Sequence, residues 1–184
     1  MNSIFLLLII VLIINQQHYV TYAQTANDAA TGPDVINKAC SKSSDKNLCL
    51  SVFNSNGDSQ NSNLKSLAFI ALKAAAVNAT ELSAQIKMSM DDKTLETPVS
   101  DSLSTCSQQY LDVVDQIEDS VNALVSDAYN DVETWLRAAI DDIKTCDDLV
   151  RGQGGKAGEV SSRNQVVSQL CTNALSVLQV VLQK

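Results

Sequence analysis

The chain has 184 residues, with 13 Lys and Arg against 21 Asp and Glu, and a net charge of -8. That length suits one domain around a single core, and the acidic balance excludes nucleic acid and anionic membrane as partners, since neutralising phosphate needs a basic face. Two Pro and six Gly are too few for a β-sandwich with its closely spaced turns, so a helical chain is expected.

In chain order, the first feature is an unbroken apolar run from Ile4 to Ile14, followed by Asn15-Gln16-Gln17-His18. A bilayer span needs roughly 20 apolar residues, and this run is shorter. Thr21-Tyr22-Ala23 supplies a small residue for cleavage. Residues 1–23 therefore read as a secretory signal peptide, although the start lacks the usual positive charge. The mature domain is residues 24–184, secreted and extracellular, with no membrane contact once the leader is removed.

Cleavage has a chemical consequence. His18 is the single histidine, and it leaves with the leader. Ser-His-Asp and Cys-His nucleophiles, His zinc sites and His proton shuttles are excluded together. An all-carboxylate glycosidase needs no imidazole, but it builds a sugar cleft rich in aromatic rings. The mature chain offers Phe53, Phe69, Tyr110, Tyr129 and Trp135 alone. No catalytic residue, metal or cofactor is expected.

The segment over 34–60 is too short for a long helix and reads as a small helical hairpin ending in the turn Asn54-Ser55-Asn56-Gly57-Asp58. Residues 61–184 carry four segments with apolar residues at helical spacing. The first covers Asn63 to Met90, with Leu64, Leu67, Ala71, Ala75, Leu82 and Ile86 on one face. Pro98 opens the second, with Asp101 or Ser102 as the expected cap and a stripe of Leu103, Cys106, Tyr110, Val113, Ile117, Val121 and Leu124. The third runs from Asn130 to Val150 on Val132, Leu136, Ala139, Ile143 and Cys146. After a Gly-rich connector, Val160 to Leu182 forms the fourth, on Val167, Leu170, Cys171, Ala174, Leu178 and Val181. Short connections between such helices specify an all-α, up-down-up-down four-helix bundle.

Five cysteines in a secreted chain suggest two bridges and one leftover thiol. About a turn centred near Ala128, Cys106 lies 22 residues before and Cys146 lies 18 after. In an antiparallel hairpin those positions sit at nearly one level, so a Cys106–Cys146 bridge fits. Cys40 and Cys49, nine apart, form the local bridge, and Cys171 stays a free, buried thiol with nothing basic nearby to activate it.

Three motifs have plain readings. Gly152-Gln153-Gly154-Gly155-Lys156 follows a helix and has no Ser or Thr after the lysine, so it is a flexible connector and not a phosphate loop. Asn54 to Asp58 resembles a calcium loop, but Lys65 occupies the twelfth position where a bidentate Glu is needed. Asn78-Ala79-Thr80 is a glycosylation sequon, expected on the solvent face of the first long helix. The acids Asp112, Asp115, Glu118, Asp119, Asp141, Asp142, Asp147 and Asp148 load the outer faces of the second and third helices. They read as a solvated surface or as a docking face for a basic or polar partner.

The chain resembles the plant invertase and pectin methylesterase inhibitor family over essentially all of its mature length. The resemblance rests on Cys40-x8-Cys49, Thr105-Cys106-Ser107-Gln108-Gln109-Tyr110, the run Tyr129 to Ala139, Thr145-Cys146-Asp147-Asp148 and Gln169 to Leu175. It implies a four-helix bundle with an N-terminal helical hairpin and both bridges. It also implies non-covalent, 1:1 inhibition of a cell-wall enzyme in the apoplast. The pectin methylesterase branch lays its second and third helices across the esterase's pectin cleft. The invertase branch, the alternative here, feeds a Pro-Lys-Phe element into an acid invertase. The turn Ser126-Asp127-Ala128-Tyr129-Asn130 has no such element, and a fifth cysteine in the last helix resembles the esterase branch. The family pattern places Asp112, Thr145, Asp147 and Asp148 at the docking face, with Gln108 standing where the family carries an acid. The competing class is a non-inhibitory helical binding module, either a carrier of an apolar ligand, which the small residues Ala139 and Ala174 argue against by favouring tight packing, or a signalling protein.

Overall fold

The computed structural model describes residues 31–183. The expected signal peptide and the first residues of the mature chain lie outside them. Among the described residues six α-helices follow in order: α1 (Pro33–Ala39), α2 (Lys46–Asn54), α3 (Leu64–Ser89), α4 (Thr97–Val125), α5 (Tyr129–Val150) and α6 (Gly155–Val181). Short 3-10 turns lie at Cys40–Lys42 and Ser59–Asn61. Helices α3 to α6 form the bundle, with α3 against α4 and α6, and α5 against α4 and α6. The α4–α5 seam is therefore on the opposite side from the α3–α6 seam.

Each helix buries the stripe its sequence carries. Asn63 caps α3 by accepting the Ser66 N–H at 2.9 Å. Below it Leu67, Ala75, Ala79, Leu82 and Ile86 are fully enclosed. By length and composition Leu64–Ser89 could cross a membrane, but here that apolar stripe is packed inside the bundle. On α4 the buried set is Leu103, Cys106, Tyr110, Val113, Ile117, Ser120 and Leu124; on α5 it is Val132, Leu136, Ala139, Ile143, Cys146, Asp147 and Val150. The Tyr110 hydroxyl donates to Asn164 Oδ1 at 2.6 Å, so the largest core side chain keeps its polar end satisfied.

Cys106–Cys146 joins α4 to α5 with a Cα separation of 4.7 Å, and Cys40–Cys49 closes the α1–α2 hairpin. Cys171 is free and buried, and burial pushes its thiol up to about 12. It is inert at physiological pH.

Three expectations change. Helix α4 begins at Thr97 with Glu96 at the cap position, placing Asp101 and Ser102 inside the helix, where Ser102 Oγ donates to the Pro98 carbonyl at 2.9 Å. Proline in the first turn costs no hydrogen bond, so the helix extends upstream of it. Helix α6 begins at Gly155 and not Val160, because burying Ala157 and Val160 rewards the extra turn. The Gly-rich stretch is a tight reversal: a Cβ at Gly158 would lie 2.8 Å from the Gln153 carbonyl oxygen. Finally, from Leu170 to Leu178 almost every α6 residue is buried, since α1 and the Cys40–Lys42 turn pack over that half of the helix.

The α4–α5 turn closes with a Schellman pair. Ala128 N–H reaches the Ala123 carbonyl at 2.9 Å and Asp127 N–H reaches the Leu124 carbonyl at 3.2 Å. The first residue beyond the C-cap must be left-handed in such a motif, and Asp127 takes φ 57°. Its carboxylate is held by Lys65 Nζ and by the Tyr129 hydroxyl, each at 2.6 Å. Lys65 first, then Tyr129, holds the Asp127 carboxyl below its ordinary 3.8. A depressed folded-state value means stabilisation present above the ordinary value and lost as pH falls through the folded one. Asp127→Asn keeps the tolerance for left-handed backbone and removes the charge. Its Tm should fall below that of the parent at neutral pH, with the gap closing as pH drops below 3.8. Thermal unfolding by circular dichroism against pH measures this.

Candidate partner-binding face

The seam between α4 and α5 is marked by one hydrogen bond: Gln116 Nε2 donates to Asp142 Oδ2 at 2.8 Å. Helical geometry then places the neighbours, since residues three, four or seven apart share a flank. On α4, Asp112 and Asp119 stand one turn either side of Gln116, and both are exposed. On α5, Trp135 and Leu149 lie two turns either side of Asp142, in line along about 21 Å. Both are large apolar side chains left open to solvent, at 39% and 38% exposure. Thr145 sits one turn from Asp142 and is exposed, and Ala138 lies one turn to the other side of Asp142, half-buried.

The charges on the face are acidic. Helix α4 carries Asp101, Asp112, Asp115, Glu118 and Asp119 and no basic residue. The basic residues of α5, Arg137 and Lys144, are turned to its other flank and engage Glu133 and Asp148. Such a surface attracts basic or hydrogen-bond-donating groups and repels anions. Thr145 sharpens that preference. Its hydroxyl donates to the Asp141 carbonyl at 2.9 Å, so only its acceptor lone pairs face outward.

Of the four residues expected at the face, the structure brings Asp112 and Thr145 to the seam. Asp148 is exposed on the outer ridge of α5, paired with Lys144 and 3.9 Å from Arg151. The Lys144 hydrogen bond holds its carboxyl below the ordinary range. Asp147 is a correction: it is buried, facing α6, where Oδ1 accepts from Ser161 Oγ at 2.8 Å and Oδ2 accepts from Arg151. One residue after inward-facing Cys146, it lies on the flank of α5 nearest α6 and serves the packing of those helices. The same partners, Lys144 and Arg151, offset the unfavourable placement of two acids at a helix C-terminus.

Trp135 and Leu149 are the residues that sequence reasoning missed. Their seven-residue spacing about Asp142 was a visible signal, but apolar residues on an amphipathic helix are read first as core.

Helices α4 and α5 thus present a long polar face on a disulfide-bridged four-helix bundle. The chain is a member of the plant invertase/pectin methylesterase inhibitor family, whose model matches residues 34–177. It is 25% identical over 143 residues to a pectinesterase inhibitor of Actinidia deliciosa, covering 78% of this chain and 77% of that one. Two solved structures share the fold. One is mutant form A of a pectin methylesterase inhibitor from Arabidopsis, with TM-score 0.69, 21% identity, and coverage of 78% of this chain and 95% of that one. The other is a pectin methylesterase inhibitor from Arabidopsis thaliana, with TM-score 0.60, 22% identity, and coverage of 78% and 93%.

Proposed function

We propose that this protein is a secreted inhibitor of pectin methylesterase, acting in the plant cell wall through a non-covalent 1:1 complex. The outer face of α4 and α5 lies over the enzyme's pectin-binding cleft and excludes the polymer. The observation that carries this reading is the acidic, acceptor-rich seam around Gln116–Asp142 in a chain of this inhibitor family. Covering a cleft needs no catalytic group, only a preorganised surface, and the Cys106–Cys146 bridge fixes the two helices that supply it. The closed, clamped turn at Asp127 supports the esterase over the invertase as target, since it presents no extended element to insert into a sucrose-cleaving site.

Within the face, Asp112 and Thr145 accept from donors on the esterase rim, and Asp148 contributes by exchanging Lys144 for an enzyme cation. The test contrasts adjacent residues. Thr145→Ala should weaken inhibition about two- to tenfold, the worth of one hydrogen bond, with Tm unchanged. Asp148→Ala should weaken it as well. Asp147→Ala should leave inhibition intact while costing about 1–3 kcal/mol of stability, because it leaves the buried Ser161 hydroxyl without its acceptor. Unchanged inhibition in both Thr145→Ala and Asp148→Ala would remove this part of α5 from the contact.

A further inference from the structure

On the opposite side of the bundle, α2, α3 and α6 enclose an open groove of about 450 Å³. Its apolar lining includes Leu48, Val52, Ile70, Val77, Val166 and Leu170. Val77 and Val166 leave 53% and 42% of their surface exposed, more than Trp135 and Leu149 do. The sequon residue Asn78 also lines this groove. It was expected on the open face of α3; it is instead half-buried at the rim, with one Nδ2 hydrogen donated to the Ala74 carbonyl at 2.9 Å. An amide nitrogen carries two hydrogens, so the second remains for substitution.

We infer that Asn78 carries an N-linked glycan and that its first sugar lies in this groove, covering Val77 and Val166. The transfer forms a bond between Nδ2 and the anomeric carbon of a lipid-pyrophosphate-linked oligosaccharide. The anomeric carbon–phosphate bond breaks, the lipid pyrophosphate leaves, and one Nδ2 proton is released. Ala79, the middle residue of the sequon, is fully buried in the folded helix, so transfer precedes folding of α3. Afterwards the remaining Nδ2 hydrogen keeps the Ala74 contact. Attachment here leaves the α4–α5 seam unobstructed, because α3 and α6 form the other side of the bundle. The sugar replaces water over the exposed apolar surface of Val77 and Val166.

The full chain, expressed in plant cells and recovered from the medium, is compared with Thr80→Ala, which breaks the sequon but leaves Asn78 in place. Thr80 is exposed and its hydroxyl only donates to the Ala76 carbonyl, so the variant folds. Intact mass should show one N-glycan on the parent and none on the variant. Hydroxyl-radical footprinting should show loss of labelling at Val77 and Val166 in the parent relative to the variant, with Trp135 labelled equally in both. A secreted parent at bare polypeptide mass overturns the modification. A glycan present with equal labelling of Val77 and Val166 overturns its place in the groove.

Discussion

Replacing Cys106 and Cys146 by Ser together should destabilise the chain by about 4 kcal/mol, the chain-entropy value for a loop of this size. The bridge closes 40 residues, from the first third of α4 to the last turn of α5, and so constrains the unfolded chain strongly. The native state loses contacts as well. Asn164 Nδ2 lies 3.4 Å from Cys146 Sγ, and the same Asn164 accepts from the buried Tyr110. For a domain of this length such a loss lowers Tm by roughly ten degrees or more. Calorimetry of the double variant measures it, and a change of only a degree or two would mean that helix packing alone sets the α4–α5 register. Inhibition by the variant should fall at temperatures where the parent is still folded, since the bridge fixes the face itself.

The second large effect is on binding. Trp135→Ala should weaken inhibition of pectin methylesterase by about 30-fold, as expected for a tryptophan anchor within a polar contact face. The side chain is 39% exposed on the seam, close enough to the surface to be covered by a partner and packed enough to be held still. Part of it also packs against the bundle, so Tm must be measured beside the inhibition constant. Leu149→Ala, at the other end of the same line, serves as the companion. Its truncation should weaken inhibition less, having a smaller surface to lose. Full inhibition by folded Trp135→Ala would move the contact away from this end of the seam.

Much of the fold was legible because α4 and α5 are amphipathic along a single stripe: Leu103 to Leu124 and Val132 to Val150 mark their inner faces residue by residue. The hairpin level of Cys106 and Cys146 followed from helix length alone. The second half of α6 was not legible in the same way. Leu175, Val177 and Val180 are buried by the α1 hairpin folding back over them, a contact made across the whole chain. The candidate face was half legible. Asp112 and Thr145 flank the seam as the helical period requires, whereas Asp147 turns inward because Ser161, on another helix, completes its hydrogen bonding. Its local partner Arg151, four residues on, was visible in the sequence. Asn78 lies against a groove that α2 creates, which periodicity within α3 does not encode.

The most direct measurement titrates the disulfide-bonded mature chain, Gln24 to Lys184, against a plant pectin methylesterase and an acid invertase in parallel at mildly acidic pH. The account predicts saturating, stoichiometric loss of esterase activity at one inhibitor per enzyme, with invertase unaffected. Inhibition of invertase with the esterase untouched would contradict it, and would transfer the contact from the α4–α5 seam to the turn between Asp127 and Tyr129.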